Sequence, residues 1–70
     1  MRITREPYTA EVIDVIDPIS RTRAGFRYVI REAGENGEQK KIFESPVSED
    51  CDYCFNRAED HLQALRERVA

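Results

Sequence analysis

The sequence predicts an α+β domain of two layers: a three-stranded antiparallel β-meander followed by one C-terminal α-helix packed on one sheet face, βββα. Three observations lead there. Asn36-Gly37 joins two strand-like runs, and Asn-Gly is the strongest short hairpin signal because a two-residue type I′ turn needs positive φ at both central positions. Tyr8 to Ile16, YTAEVIDVI, is rich in β-branched residues that suit a pleated, half-buried surface. Finally, Cys51, Phe55, Ala58, Leu62, Leu65 and Val69 are spaced four, three, four, three and four apart, which is one stripe on a helix.

Length and composition bound the rest. Seventy residues make one domain, 1–70, at the small end of what folds alone. Apolar residues at 40% against charged residues at 36% suit a globular chain rather than a disordered one. No apolar run approaches the ~20 residues of a membrane span. Fourteen acids against 11 bases argue against a dedicated nucleic-acid binder, which carries a basic excess. The charges are nevertheless segregated. Arg21, Arg23, Arg27, Arg31, Lys40 and Lys41 fall in one stretch, and Glu44, Glu49, Asp50 and Asp52 follow without a base among them.

Taken in order, residues 1–7 read as a flexible, extended leader, with Pro7 biasing Glu6 away from helix. Met1-Arg2-Ile3-Thr4-Arg5 runs into Glu6-Pro7 with no apolar segment behind the charges, so a cytoplasmic location is the expectation. The sheet is expected over 8–45. In the first strand Tyr8, Ala10, Val12 and Ile16 share one parity and Ile13 and Val15 the other, so either both faces are partly apolar or a bulge near Val12-Ile13 switches the parity. Asp17-Pro18 ends that strand, and Ser45-Pro46 ends the sheet because proline donates no ladder bond. The helix is expected over 48–69, with Ser48 as N-cap, acids in its first turn, and Arg66 and Arg68 in its last.

A two-residue turn at Asn36-Gly37 would pair Ile30 with Phe43, Arg31 with Ile42 and Glu32 with Lys41. Phe26, Tyr28, Ile30 and Phe43 then form the helix-covered face. A single helix covers a single face, so Arg27, Val29, Arg31, Lys40 and Ile42 would lie open, with Ile13 and Val15 joining them if the parity matches. An aliphatic centre with an arginine rim has the composition of a protein interface, so these five residues are the expected partner-binding set. A second copy of the chain is the simplest such partner. The alternative is a sheet that binds DNA or RNA through Arg21, Arg23, Arg27, Arg31 and Lys40 contacting phosphates. In outline the element order resembles the βββα arm-binding domains of tyrosine recombinases and the plant AP2-type domains, an analogy of architecture that no motif carries.

Other chemistry is thinly represented. Cys51-Asp52-Tyr53-Cys54 is a CxxC at a helix start, but Glu49, Asp50 and Asp52 crowd it with negative charge that disfavours thiolate, and core packing is the better reading. As metal ligands Cys51 and Cys54 are weak candidates. The one histidine, His61, lies seven residues beyond Cys54, about 10 Å along a helix and too far to share one ion within the chain. No nucleophile–base spacing and no glycine-rich phosphate loop is present. The expectation is a small non-enzymatic binding or regulatory protein of bacterial or phage type, without catalytic residues, metal or cofactor.

Overall fold

A computed structural model describes residues 1–69, the side chain of Val69 excepted. The class is α+β, but the sheet has four strands. They are β1 (Arg2–Arg5), β2 (Tyr8–Ile16), β3 (Arg23–Ala33) and β4 (Gln39–Glu44), in spatial order β1-β2-β3-β4 and antiparallel throughout, followed by α1 (Cys51–Val69).

The extra strand corrects the expected leader. Ile3 is buried in the core opposite Ala10, while Arg2 and Thr4 face the other way opposite Glu11 and Thr9. Glu6-Pro7, joined by a cis peptide bond, is the whole connection to β2. One apolar residue among three polar ones is too short a signal to read as a strand. Its pairing with β2 supplies what its own sequence lacks.

The β3–β4 turn is also corrected. Asn36 does not take positive φ; Gly37 alone does, at 78°. The loop is therefore three residues, Glu35-Asn36-Gly37. It is closed by Gly37 N–H donating to Gly34 O at 3.3 Å and Gly34 N–H donating to Glu38 O at 2.6 Å, the turn-plus-glycine form of hairpin. This leaves the left-handed position to the residue that occupies it without a Cβ penalty. The register moves by one: Arg31 pairs with Lys41 and Glu32 with Lys40, not with Ile42 and Lys41. A shift between Ile30 and Arg31 then leaves Ile42 as an extra residue and restores Ile30–Phe43 and Val29–Glu44 as expected.

β2 keeps its parity from Tyr8 to Val15. Tyr8, Ala10 and Val12 point to the helix, Ile13 and Val15 away from it, and the register slips only between Val15 and Ile16, where Ala24 is the extra residue of β3. The helix rests mainly on β2 and β3. Cys54, Ala58 and Leu62 are buried against Ile3, Tyr8, Ala10, Val12, Tyr28 and Ile30, with Cys51, Phe55, Leu65 and Phe26 packed alongside. Val69, the last residue of the predicted stripe, has a side chain outside the described residues.

Asp50, not Ser48, is the N-cap. Its carboxylate accepts from Tyr53 N–H at 3.1 Å, and its carbonyl accepts the first helical bond from Cys54 N–H. Ser48 instead continues the sheet, exchanging two backbone hydrogen bonds with Phe26 at 2.6 and 2.7 Å. Proline at 46 does end β4 as a strand, yet the chain rejoins the ladder two residues later.

Candidate functional site

No helix covers the second sheet face. The pairing puts Thr9, Glu11, Ile13 and Val15 of β2 on it, with Arg27, Val29 and Arg31 of β3, Arg2 and Thr4 of β1, and Lys41 and Glu44 of β4. Of the five residues expected there, Arg27, Val29 and Arg31 are in place. Lys40 is not: pairing with Glu32 puts it on the helix side, a direct result of the one-residue loop shift. Ile42 occupies the bulge, 40% exposed and outside the ladder.

Charge organises the half of this face nearest β1 and β4. Glu11 stands between Arg2 and Arg31, 3.4 Å from each, and Glu44 stands between Arg27 at 2.8 Å and Lys41 at 3.3 Å. Val29 lies between Glu11 and Glu44 in the cross-strand row and is only 2% exposed, covered by these long side chains. It is therefore a buried residue under an ion-pair lattice and not the accessible centre of an aliphatic strip. Exposed pairs of this kind contribute about 0–1 kcal/mol each. Arg27 also has its Nε buried without a hydrogen-bond partner among the described residues.

The other half of the face is different. β1 flanks β2 no further than the Val12 N–H to Met1 O bond, and β4 flanks β3 only from Val29 onward. Past those points Ile13–Ile16 and Arg23–Gly25 continue as a two-stranded arm, closed by a loop over residues 17–22. The loop is built on Asp17, whose carboxylate accepts from the N–H groups of Ile19 and Ser20 at 2.8 and 3.3 Å. The same residue's backbone bonds to Arg21 and Thr22. No residue from 13 to 25 belongs to the core. Ile13 is 37% exposed, Ile16 53% and Ile19, at the tip, 93%.

The basic residues expected to act together on nucleic acid are dispersed. Arg27 and Arg31 share the open face, each against a carboxylate. Arg23 lies on the other face, 3.4 Å from Asp14 and with its guanidinium 5.1 Å from the Phe26 ring centroid. Arg21 is in the loop at φ 59°.

On the helix side, Tyr28, Phe43 and His61 form an aromatic cluster. The Tyr28 and Phe43 rings stack at 5.5 Å, His61 meets Phe43 edge-on at 4.4 Å, and the Tyr28 hydroxyl lies 3.1 Å from His61 Nδ1. Burial raises the Tyr28 phenol, and burial with the Arg57 charge lowers His61. A hydrogen bond between a neutral phenol and a neutral imidazole follows. Burial and the neighbouring Cys51 push the Cys54 thiol up, which makes it a poor nucleophile. Both cysteines are free thiols, Cys54 in the core and Cys51 beside it, and no group of three or more His, Cys, Asp or Glu is placed to hold a metal among the described residues. No described helix is long and apolar enough to cross a membrane.

Comparison with known proteins finds no matching family model, curated sequence or solved structure.

Proposed function

We propose that this chain is a non-enzymatic binding protein that works through the open face of its sheet, with a second copy of itself as the partner. The contact would centre on Ile13 and Val15 beside Arg27, at the arm end of the face, with Ile19 in the loop at its margin. The observation that carries the reading is the exposure of Ile13 beside Val15 on the sheet face that no helix covers, with Ile19 exposed at the tip of the same arm, whose residues lie outside the core. Exposed apolar residues scattered singly need no explanation, but adjacent apolar residues on an uncovered sheet face expose area that association removes from water.

Size is adequate. The molecule is a slab of 43 × 25 × 16 Å, so its broad face is on the order of 1,000 Å², above the ~800 Å² per partner of a standard interface. Two such faces packed together would form a sheet-on-sheet core with a helix layer outside each sheet. The nucleic-acid alternative draws less support, because Arg23, Arg27 and Arg31 each sit against a carboxylate that cancels the field phosphate would need.

Sedimentation velocity over a micromolar concentration series tests the reading. A reversible monomer–dimer equilibrium is expected, abolished by Ile13→Glu and unaffected by Gln63→Glu on the helix. A strict monomer at every concentration overturns it.

A further inference from the structure

Between β4 and the first turns of α1 lies a cleft of about 360 Å³, within the ~300–1,000 Å³ of small-molecule sites. Tyr28, Phe43, Val47, Tyr53, Cys54 and Arg57 give it its chemistry. Most polar groups at its wall are already committed. The Ser45 hydroxyl accepts from Tyr28 N–H at 2.9 Å and donates to Pro46 O at 3.0 Å. The Ser48 hydroxyl accepts from Asp50 N–H at 3.2 Å, and the Tyr28 hydroxyl is held by His61.

Two donors are left over. Neither the Arg57 guanidinium nor the Tyr53 hydroxyl has a hydrogen-bond or ion-pair partner among the described residues. Nor does any carboxylate line the cleft. Tyr53, Arg57 and His61 follow at i, i+4 spacing on the flank of α1 toward β4, where the exposed Asp60 makes no ion pair with Arg57, whereas Glu59 falls on the flank toward β1. The groove on that second flank is larger, about 430 Å³, but Arg5 and Arg66 share it with Glu59 and Glu67, so it presents no unbalanced charge.

We propose that the β4–α1 cleft binds a small planar organic anion. A ring would lie against Phe43 and Tyr53, and a single carboxylate would pair with Arg57. A cation would meet Arg57 unfavourably, and a neutral ring would gain apolar contact without the charge-assisted bond. A free aryl acid or the C-terminal residue of a peptide could each present this ring-and-carboxylate chemistry.

The test is an amide-resolved NMR titration of the full chain with indole-3-acetate. Shifts are expected in residues 43–48 and 53–61, weakened about tenfold by Arg57→Gln, since a hydrogen bond to a charged group has roughly that effect on affinity. Arg66→Gln, on the opposite flank, should leave the affinity unchanged. Tryptamine, with the same ring and the opposite charge, should bind at least tenfold more weakly. Acetyl-Gly-Phe binding more tightly than the free acid makes a peptide terminus the source, and the reverse order makes it a small molecule. Equal affinity for indole-3-acetate and tryptamine, unchanged affinity in Arg57→Gln, or shifts confined to other surfaces overturns the proposal.

Discussion

Gly25 is where β3 passes closest to the chain that returns from β4. A Cβ there would stand 2.6 Å from Ser48 O and 2.7 Å from Val47 Cγ1, and its φ of 153° already disfavours an L side chain. Both objections vanish or soften at Gly37, where a Cβ meets nothing within 4 Å and only the positive φ resists. Gly37→Ala should therefore cost about 1–2 kcal/mol, the penalty of a left-handed alanine. Gly25→Ala should cost more and should break the Phe26–Ser48 bridge. Urea melts of the two variants check the order, and loss of amide protection at Phe26 and Ser48 in Gly25→Ala alone checks the cause. At the helix start, Asp50→Ala should destabilise by about 1 kcal/mol, whereas Ser48→Ala should cost less, because Asp50 holds Tyr53 N–H. Equal losses in the two would return the cap to Ser48.

Two departures from a plain ladder meet in β4 and offset each other. The three-residue loop advances the register by one, and the bulge at Ile42 takes that residue back, so Phe43 still lies opposite Ile30 beneath the helix side. Each departure alone would send Phe43 to the other face, since a one-residue slip reverses every side chain beyond it. Deleting Ile42 turns this into a prediction. The loop register would run on unbroken from the Arg31–Lys41 pair, and the phenylalanine, now at position 42, would pair with Ile30. The variant should fold with stability within about 1 kcal/mol of the parent. Cross-strand NOEs from Ile30 to the phenylalanine check it, and NOEs from Ile30 to Glu44 would contradict it.

For a chain of this length the radius of gyration expected of a compact domain is about 11 Å. The observed 13.1 Å is larger because the β2–β3 arm runs on past its neighbours. Stability of a molecule this small, with a few kcal/mol in total, should respond to its buried titrating groups. His61 has a folded value below its usual 6.5, so the unfolded chain takes up a proton that the folded one refuses. Stability should therefore fall as pH drops below 6.5 and level off beneath the folded value. Tyr28 and Cys54 are raised, so the folded state holds protons that the unfolded chain releases, and stability should fall as pH climbs above about 9–10. Thermal melts across that range should show a central maximum. His61→Phe should flatten the acid side while leaving the alkaline side in place.

Periodicity made much of this legible. The spacing of Cys51, Ala58, Leu62 and Leu65 gave the helix and its buried face, and the parity of Phe26, Tyr28 and Ile30 gave the side of the sheet it covers. Local backbone chemistry also located the β3–β4 turn, though not its length. Three things depended on contacts between residues distant in sequence. Arg2–Arg5 is a strand because β2 lies beside it, and nothing within four residues carries that information. Lys40 and Ile42 owe their positions to where the loop and the bulge divide one surplus residue, a choice set by which pairing keeps Phe43 beside Ile30 and stacked on Tyr28 at the helix side. Val29, apolar on a solvent face, reads as accessible until the long side chains of its cross-strand neighbours are placed over it. Class, helix and covered face were legible locally, because each follows from a period that a single element repeats. Strand count, the register near the turn and the residues that the open face offers came from the assembled fold, because those are properties of pairing, and pairing joins segments whose local signals are silent about each other.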